Sequence, residues 1–189
     1  MSTGTGKTLL PRALAEELGC ALINVRLSDV VRGEIGTSEK RVRELFQSAL
    51  RGAPSVVFID EFQAMFTAQE EGGGASTLSS TLAGCFDDLN RWNRHAGAES
   101  MVTVIAATNE PWAIGTAFLR PGRLEKCVFV GPLDLAGRAE CVTMLVDGCA
   151  ADLAEDVARR TEGFTGADMV LLDMVMPEMS GRMVQKTRV

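Results

Sequence analysis

Val56-Val57-Phe58-Ile59 is an unbroken apolar run that ends in two acids, Asp60 and Glu61. A strand with one wet face alternates apolar and polar residues; a strand without alternation needs cover on both faces, which parallel sheets flanked by helices provide. Met101–Ala107 and Lys126–Gly131 read as strands of the same kind, and Ala21–Val25 is a shorter β-rich run. Between them lie helical patterns: Leu10, Leu14 and Leu18 with Ala13, stopped by Gly19; Val42, Leu45, Phe46 and Ala49, with Ser38 as a cap; and Leu78, Leu82, Phe86 and Leu89. This alternation predicts an α/β fold. From Pro132 the strand signals cease, and Arg138–Leu145 and Leu153–Arg160 predict a small helical unit. The only biased stretch is the Gly/Ser/Thr segment 72–80.

At 189 residues the chain accommodates one well-buried domain and a partial second. A net charge of −6 and a pI near 4.9 argue against a broad footprint for nucleic acid or anionic membrane, so the expected partners are proteins or small molecules. The five cysteines, Cys20, Cys85, Cys127, Cys141 and Cys149, form no C-x-x-C pair, and the one histidine, His95, has no cysteine beside it. They read as reduced thiols of a cytoplasmic or nuclear protein. Glu16 and Glu17 break any signal-peptide pattern, and no apolar run reaches membrane-spanning length.

Gly4-Thr5-Gly6-Lys7-Thr8 has the parts of a phosphate cradle. Its glycines let backbone N–H groups approach anionic oxygens, and the adjoining helix points its positive end at them. Lys7 suits the β- and γ-phosphates of a nucleotide, and the Thr8 hydroxyl suits Mg²⁺. Taken alone, the same residues read equally well as a glycine-rich turn before a helix. Asp60 and Glu61 lie at a strand's C-terminal end, where open parallel sheets place their ligands. Asp60 suits Mg²⁺ through water, and Glu61 suits a general base acting on an attacking water, against the plain alternative of two acids capping a strand. Asn109 comes just after the next strand and has an amide able to fix that water or the γ-phosphate. Arg120 and Arg123 sit on a turn set by Pro121 and Gly122, suited to projecting guanidinium groups from their own subunit; isolated loop arginines and an exposed Asn are otherwise ordinary surface.

In order, "TGTGKT", "VVFIDE", "VIAATNEPWAIGTAFLRPGR" and "TEGFTGADM" resemble the AAA family of ATPases, nearest to the branch of valosin-containing protein, katanin and spastin. The likeness covers nearly all of residues 1–169. It implies a P-loop sheet domain over 1–131, a partial helical lid over 132–176 and an unassigned tail over 177–189. It also implies that Gly4 to Thr8 are Walker A, Asp60 and Glu61 Walker B, and Asn109 sensor 1. Arg120 and Arg123 then resemble arginine fingers reaching a neighbour's ATP, and Gly166-Ala167 the lid turn near the nucleotide. ATP and Mg²⁺ are the implied ligands. The implied assembly is a ring, usually a hexamer, that remodels protein substrates.

Several residues depart from the family pattern. Met1 stands where Walker A has its first glycine, and the strand that precedes Walker A in the family has no counterpart, leaving a slot between Met101–Ala107 and Lys126–Gly131. These departures suggest a fragment of a larger ATPase. Pro11 lies deep enough in the first helix to threaten one helical bond. Glu34 and Ile35 occupy the tip of the pore-loop segment where threading relatives carry an aromatic, and the lid lacks the family's histidine. Residues 168–181, with Asp173, resemble a receiver-domain phosphoacceptor strand, or read as a lid helix broken by Pro177 and Gly181. The leading expectation is an ATP-hydrolysing module. The alternatives are a non-hydrolysing ring subunit lending its arginines in trans and, more distantly, part of a receiver-linked signalling protein.

Overall fold

The computed structural model describes residues 4–27, 37–67, 74–146 and 148–175. The chain forms two compact units, one of residues 8–128 and one joining the N-terminal loop to residues from 129 onward.

The first unit holds a parallel sheet of three strands in the order β1-β2-β3, with β1 at Ala21–Arg26, β2 at Ser55–Asp60 and β3 at Val102–Ala106. Its helices are α1 (Leu9–Glu17), α2 (Thr37–Arg51), the single-turn α3 (Ala64–Thr67) and α4 (Gly74–His95). The central β2 is buried throughout Val56–Ile59, as its unalternating sequence demands. Val57 and Ile59 join a core with Val42, Phe46 and Ala49 of α2 and Leu78, Leu82, Phe86 and Leu89 of α4. Every residue of the two apolar stripes expected there is in that core or packed against it, because a stripe at i, i+3, i+4, i+7 has one face to give. On the opposite side α1 packs on β1 and β2.

Three expectations require correction. The apolar stripe of α1 does not face the sheet: Leu10 and Leu18 are exposed, and Pro11 and Ala15 are buried instead. Pro11 costs no hydrogen bond, since the helix starts at Leu9 and the first four N–H groups of a helix have no partner within it. Lys126–Gly131 is not a strand; it has no regular structure, and Val128 and Phe129 stand exposed. An extended segment becomes a strand only with a ladder partner, and among the described residues no strand lies beyond β3.

The register of β3 decides which of its groups face the free side. Backbone bonds to β2 run through odd-numbered residues, since Met101 O accepts from Ser55 N–H and Ala107 N–H donates to Ile59 O. Val102, Val104 and Ala106 therefore turn their N–H and C=O groups to the other edge. Asn93 of α4 fills the first of these positions with its side-chain amide, accepting from Val102 N–H at 3.0 Å and donating to Val102 O at 2.8 Å. Thr103 is exposed and Val104 to Ala106 only half-buried, so β3 is less covered than its apolar sequence suggests.

The second unit joins residues 4–7 to three helices: α5 (Leu135–Leu145), α6 (Ala151–Arg160) and α7 (Gly166–Val175). Val142, Ala154 and Met169 form its small core. Asp134 caps α5 by accepting from Gly137 N–H at 2.8 Å, and the buried Arg138 donates to Ala158 O and Leu133 O. Residues 166–175 are helical, so the phosphoacceptor-strand reading fails over the described part of that segment, Asp173 included. Pro177, Gly181, Glu34, Ile35, Met1 and glycines 72 and 73 lie outside the described residues.

A capping box begins α7. Asp168 Oδ2 accepts from both the N–H (2.8 Å) and the hydroxyl (2.7 Å) of Thr165, and Asp168 N–H donates back to Thr165 Oγ1. Those bonds from Thr165, the backbone one foremost, hold the Asp168 carboxyl below the usual carboxylate range. A carboxyl depressed on folding stabilises the fold above its unfolded pKa, and that contribution disappears as pH falls through the folded value. Asp168→Asn is thus expected to lower the melting temperature at neutral pH. The gap from the parent should close in acid below the carboxylate range; a gap independent of pH would contradict the assignment.

Candidate functional site

The first unit gathers its polar residues at the C-terminal ends of β2 and β3. Asp60 is the last residue of β2, and Thr8 immediately precedes α1. The two meet across 52 residues of sequence, Thr8 Oγ1 donating to Asp60 Oδ2 at 3.3 Å. The other carboxylate oxygen accepts from Glu61 N–H at 2.9 Å. They border a cavity of about 410 Å³ that is also lined by Asn24, Arg26 and Arg41. Glu61 has φ +53°, a left-handed conformation that a residue with a side chain rarely adopts and that costs about 1–3 kcal/mol. Two backbone bonds hold this turn in place, Ala64 N–H donating to Glu61 O and Phe62 N–H to Ala107 O.

The loop after β3 is tied to the loop after β2. Thr108 Oγ1 donates to Gln63 Oε1 at 2.8 Å and accepts from Glu110 N–H at 2.9 Å. Asn109 sits between these anchors, with its Oδ1 buried and without a hydrogen-bond partner. A buried acceptor left unpaired costs about 1–3 kcal/mol. A water molecule donating to it would remove that cost, so this side chain suits holding a water. Gln63 and Thr108 form a link between the two loops that sequence reasoning misses; their only signal is that each lies within three residues of a strand's C-terminal end.

In the second unit, Gly4 has φ +81° and Gly6 φ +89°. A Cβ on Gly4 would lie 2.8 Å from Ala167 Cβ and 2.9 Å from Thr165 Oγ1, so the close approach of the loop to the turn at Thr165–Ala167 admits only glycine. Ala167 N–H donates to Gly4 O at 3.1 Å, uniting Gly4 with Gly166-Ala167. Lys7 Nζ donates to Thr5 Oγ1 at 3.1 Å. A loop of alternating glycines at positive φ turns successive N–H groups toward one concave side, the geometry that receives anionic oxygens. A threonine hydroxyl adjacent to one carboxylate suits Mg²⁺, which takes one or two carboxylates together with substrate phosphates. Among the described residues no group of three or more His, Cys, Asp or Glu is placed to hold a metal.

The two arginines of the 120–123 turn differ sharply. Arg120 is exposed, and among the described residues its side chain has no ion pair or hydrogen bond. Arg123 is engaged in its own subunit: Nε and Nη2 donate to the two oxygens of Asp87 at 2.9 and 2.8 Å, and Nη1 donates to Ala117 O at 2.7 Å. The hydrogen bonds from Arg123 hold the Asp87 carboxyl below the ordinary carboxylate range, and the same pairing raises Arg123. Asp87, on α4, has no sequence signal, because nothing in the spacing of an exposed helical acid marks a partner 36 residues away.

Residues 2–132 match the family described as ATPase family associated with various cellular activities (AAA). Similar curated proteins include ATP-dependent zinc metalloprotease FtsH 2 of Symbiobacterium thermophilum, 41% identical over 175 residues, which covers 89% of this chain and 29% of that protein. ATP-dependent zinc metalloprotease FTSH 5, chloroplastic, of Arabidopsis thaliana is 39% identical over 171 residues, 88% of this chain and 24% of the relative. ATPase family gene 2 protein of Saccharomyces cerevisiae is 35% identical over 176 residues, 89% of this chain and 22% of the relative. The chain therefore spans under a third of the length of these relatives. The similarity runs to FtsH-type proteins rather than specifically to the valosin-containing protein, katanin and spastin branch. With its parallel sheet, glycine loop and acid-ended strand inside the matched residues, the chain belongs to the AAA family of ATPases.

Proposed function

We propose that the chain is the ATP-binding and ATP-hydrolysing module of a ring-forming AAA machine, most simply a hexamer, that remodels protein substrates. Chief support comes from the meeting of Thr8 and Asp60 at the C-terminal edge of a parallel sheet. Mg²⁺ bound with ATP supplies a Lewis acid that offsets phosphate charge, and Thr8 and Asp60 are the residues suited to hold it. Gly4, Thr5 and Gly6 present backbone N–H groups to the phosphates, and Lys7 pairs with the β- and γ-phosphates. Glu61 takes the proton of the attacking water, Asn109 holds that water, and Gly166-Ala167 close on the nucleotide side of the loop. Of the two arginines of the 120–123 turn, Arg120, exposed and unpaired among the described residues, is the one a subunit would bring toward a neighbour's ATP, with Arg123 beside it on Asp87. The names of the FtsH relatives suggest coupling of this work to proteolysis, and the free cysteines favour the cytoplasm or nucleus. Arg120, exposed and unpaired among the described residues, also favours a second reading, a subunit that binds nucleotide poorly itself and lends its arginines to others.

A charge-assisted bond such as that of Lys7 to phosphate contributes about 1.5–3 kcal/mol, so Lys7→Ala is expected to weaken Mg·ATP binding by about 10–100-fold in calorimetric titration. Equal affinity in parent and variant would remove the glycine loop from the nucleotide site. Phosphate release that rises more steeply than linearly with protein concentration is the expected mark of the ring. Weak binding with no release at any concentration would select the second reading.

A further inference from the structure

Within the 120–123 turn, we infer that Asp87 is a positioning residue. It holds Arg123 on its own subunit and so fixes the turn such that Arg120 is the guanidinium delivered to a neighbouring subunit. The inference rests on the proposed hydrolysis in a ring. Arg123 uses all three of its nitrogens internally, two on Asp87 and one on Ala117 O, and its side chain is only 16% exposed. A bidentate arginine–carboxylate pair fixes orientation as well as distance. The guanidinium carbon also lies 6.0 Å from the Phe118 ring centroid.

The rest of the turn is built on the same helix face. Gly122 has φ +83°, and a Cβ there would lie 2.1 Å from Asn90 Nδ2, so α4 presses directly on the turn at Asn90 as well as at Asp87. Gly122 N–H donates to Glu125 Oε2, Arg123 N–H to Arg120 O, and Leu124 N–H to Phe118 O. Against this anchorage Arg120 is exposed and, among the described residues, unpaired. One arginine is committed in cis, and its commitment sets where the other stands. A guanidinium misplaced by even an ångström loses much of its effect on a transition state.

The opposite role would be for Arg123 itself to reach the neighbour, with Asp87 restraining it. The two roles give Asp87→Ala opposite signs. If Asp87 positions the turn, Asp87→Ala and Arg123→Gln each lower kcat by about tenfold or more with the KM for Mg·ATP unchanged, and the double variant is no worse than either single. Arg120→Ala should lose on the order of a thousandfold, as expected for removal of a trans-acting arginine. Mixing Asp87→Ala subunits with Lys7→Ala subunits, which bind Mg·ATP weakly but keep the clamp, should recover part of the lost turnover; a folding defect would not be relieved this way. Unchanged or raised turnover in Asp87→Ala overturns the inference. Absence of turnover in the unsubstituted chain refutes the hydrolysis reading instead. The clamp is then decided by thermal melts of the same variants, where additive losses from the two single substitutions overturn it.

Discussion

Glu61→Gln is expected to bind Mg·ATP as tightly as the parent and to hydrolyse it about 10²–10⁴-fold more slowly, the range that a positioned general base contributes. Glutamine keeps the length and planarity of the side chain, so the strained backbone at this position, φ +53°, and its bond to Ala64 N–H can persist. The substitution removes an oxygen able to take a proton. Phosphate release measured beside calorimetric ATP binding separates the two effects. Turnover within a factor of about two of the parent would strip Glu61 of the role, leaving it a residue that merely follows β2.

Phe118→Ala is expected to destabilise the first unit by about 3–5 kcal/mol, read as a shift of the urea midpoint at unchanged slope. Phe118 is 1% exposed and meets three other rings edge-on: Phe62 at 5.4 Å, Phe66 at 5.6 Å and Phe86 at 6.0 Å. Truncation leaves a cavity that these three rings, on separate segments, would have to move together to fill. The loss is a large share of the roughly 5–15 kcal/mol typical of a whole domain. It should also reach the site, because Phe62 is the next residue after Glu61 and Phe118 underlies Arg123. A change below about 1 kcal/mol would mean the cluster collapses without cost, contrary to close packing.

The core of the first unit is legible in sequence because its pattern and its chemistry agree. Val56–Ile59 cannot be anything but a covered strand, and the stripes of α2 and α4 each have only one apolar face. The glycine loop, Asp60 and Asn109 are legible because each adjoins the end or start of such an element. Long-range pairs are not. Asp87 with Arg123 and Gln63 with Thr108 join residues 36 and 45 apart, and neither helical nor strand periodicity carries that information. Lys126–Gly131 misleads for a related reason: apolar β-rich sequence states a preference, but a strand exists only beside another. The ambiguity of α1 is local, since the buried Pro11 and Ala15 lie only about 100° around the helix from Leu10 and Leu14, and packing chooses between the two adjoining stripes.

The amide of Asn93 gives Val102 the same two bonds a neighbouring strand would give it. The outer rim of β3 thus carries a molecular stopper at its beginning, leaving Val104 and Ala106, among the described residues, as its vacant rungs. An extended chain zipping onto this rim from another molecule finds a ladder too short to seed growth, whatever the apolar content of its sequence. Asn93→Leu would pull the stopper and offer a continuous template from Val102 to Ala106. The colloidal behaviour of the protein would then be governed by one carboxamide on a helix rather than by the strand that it guards.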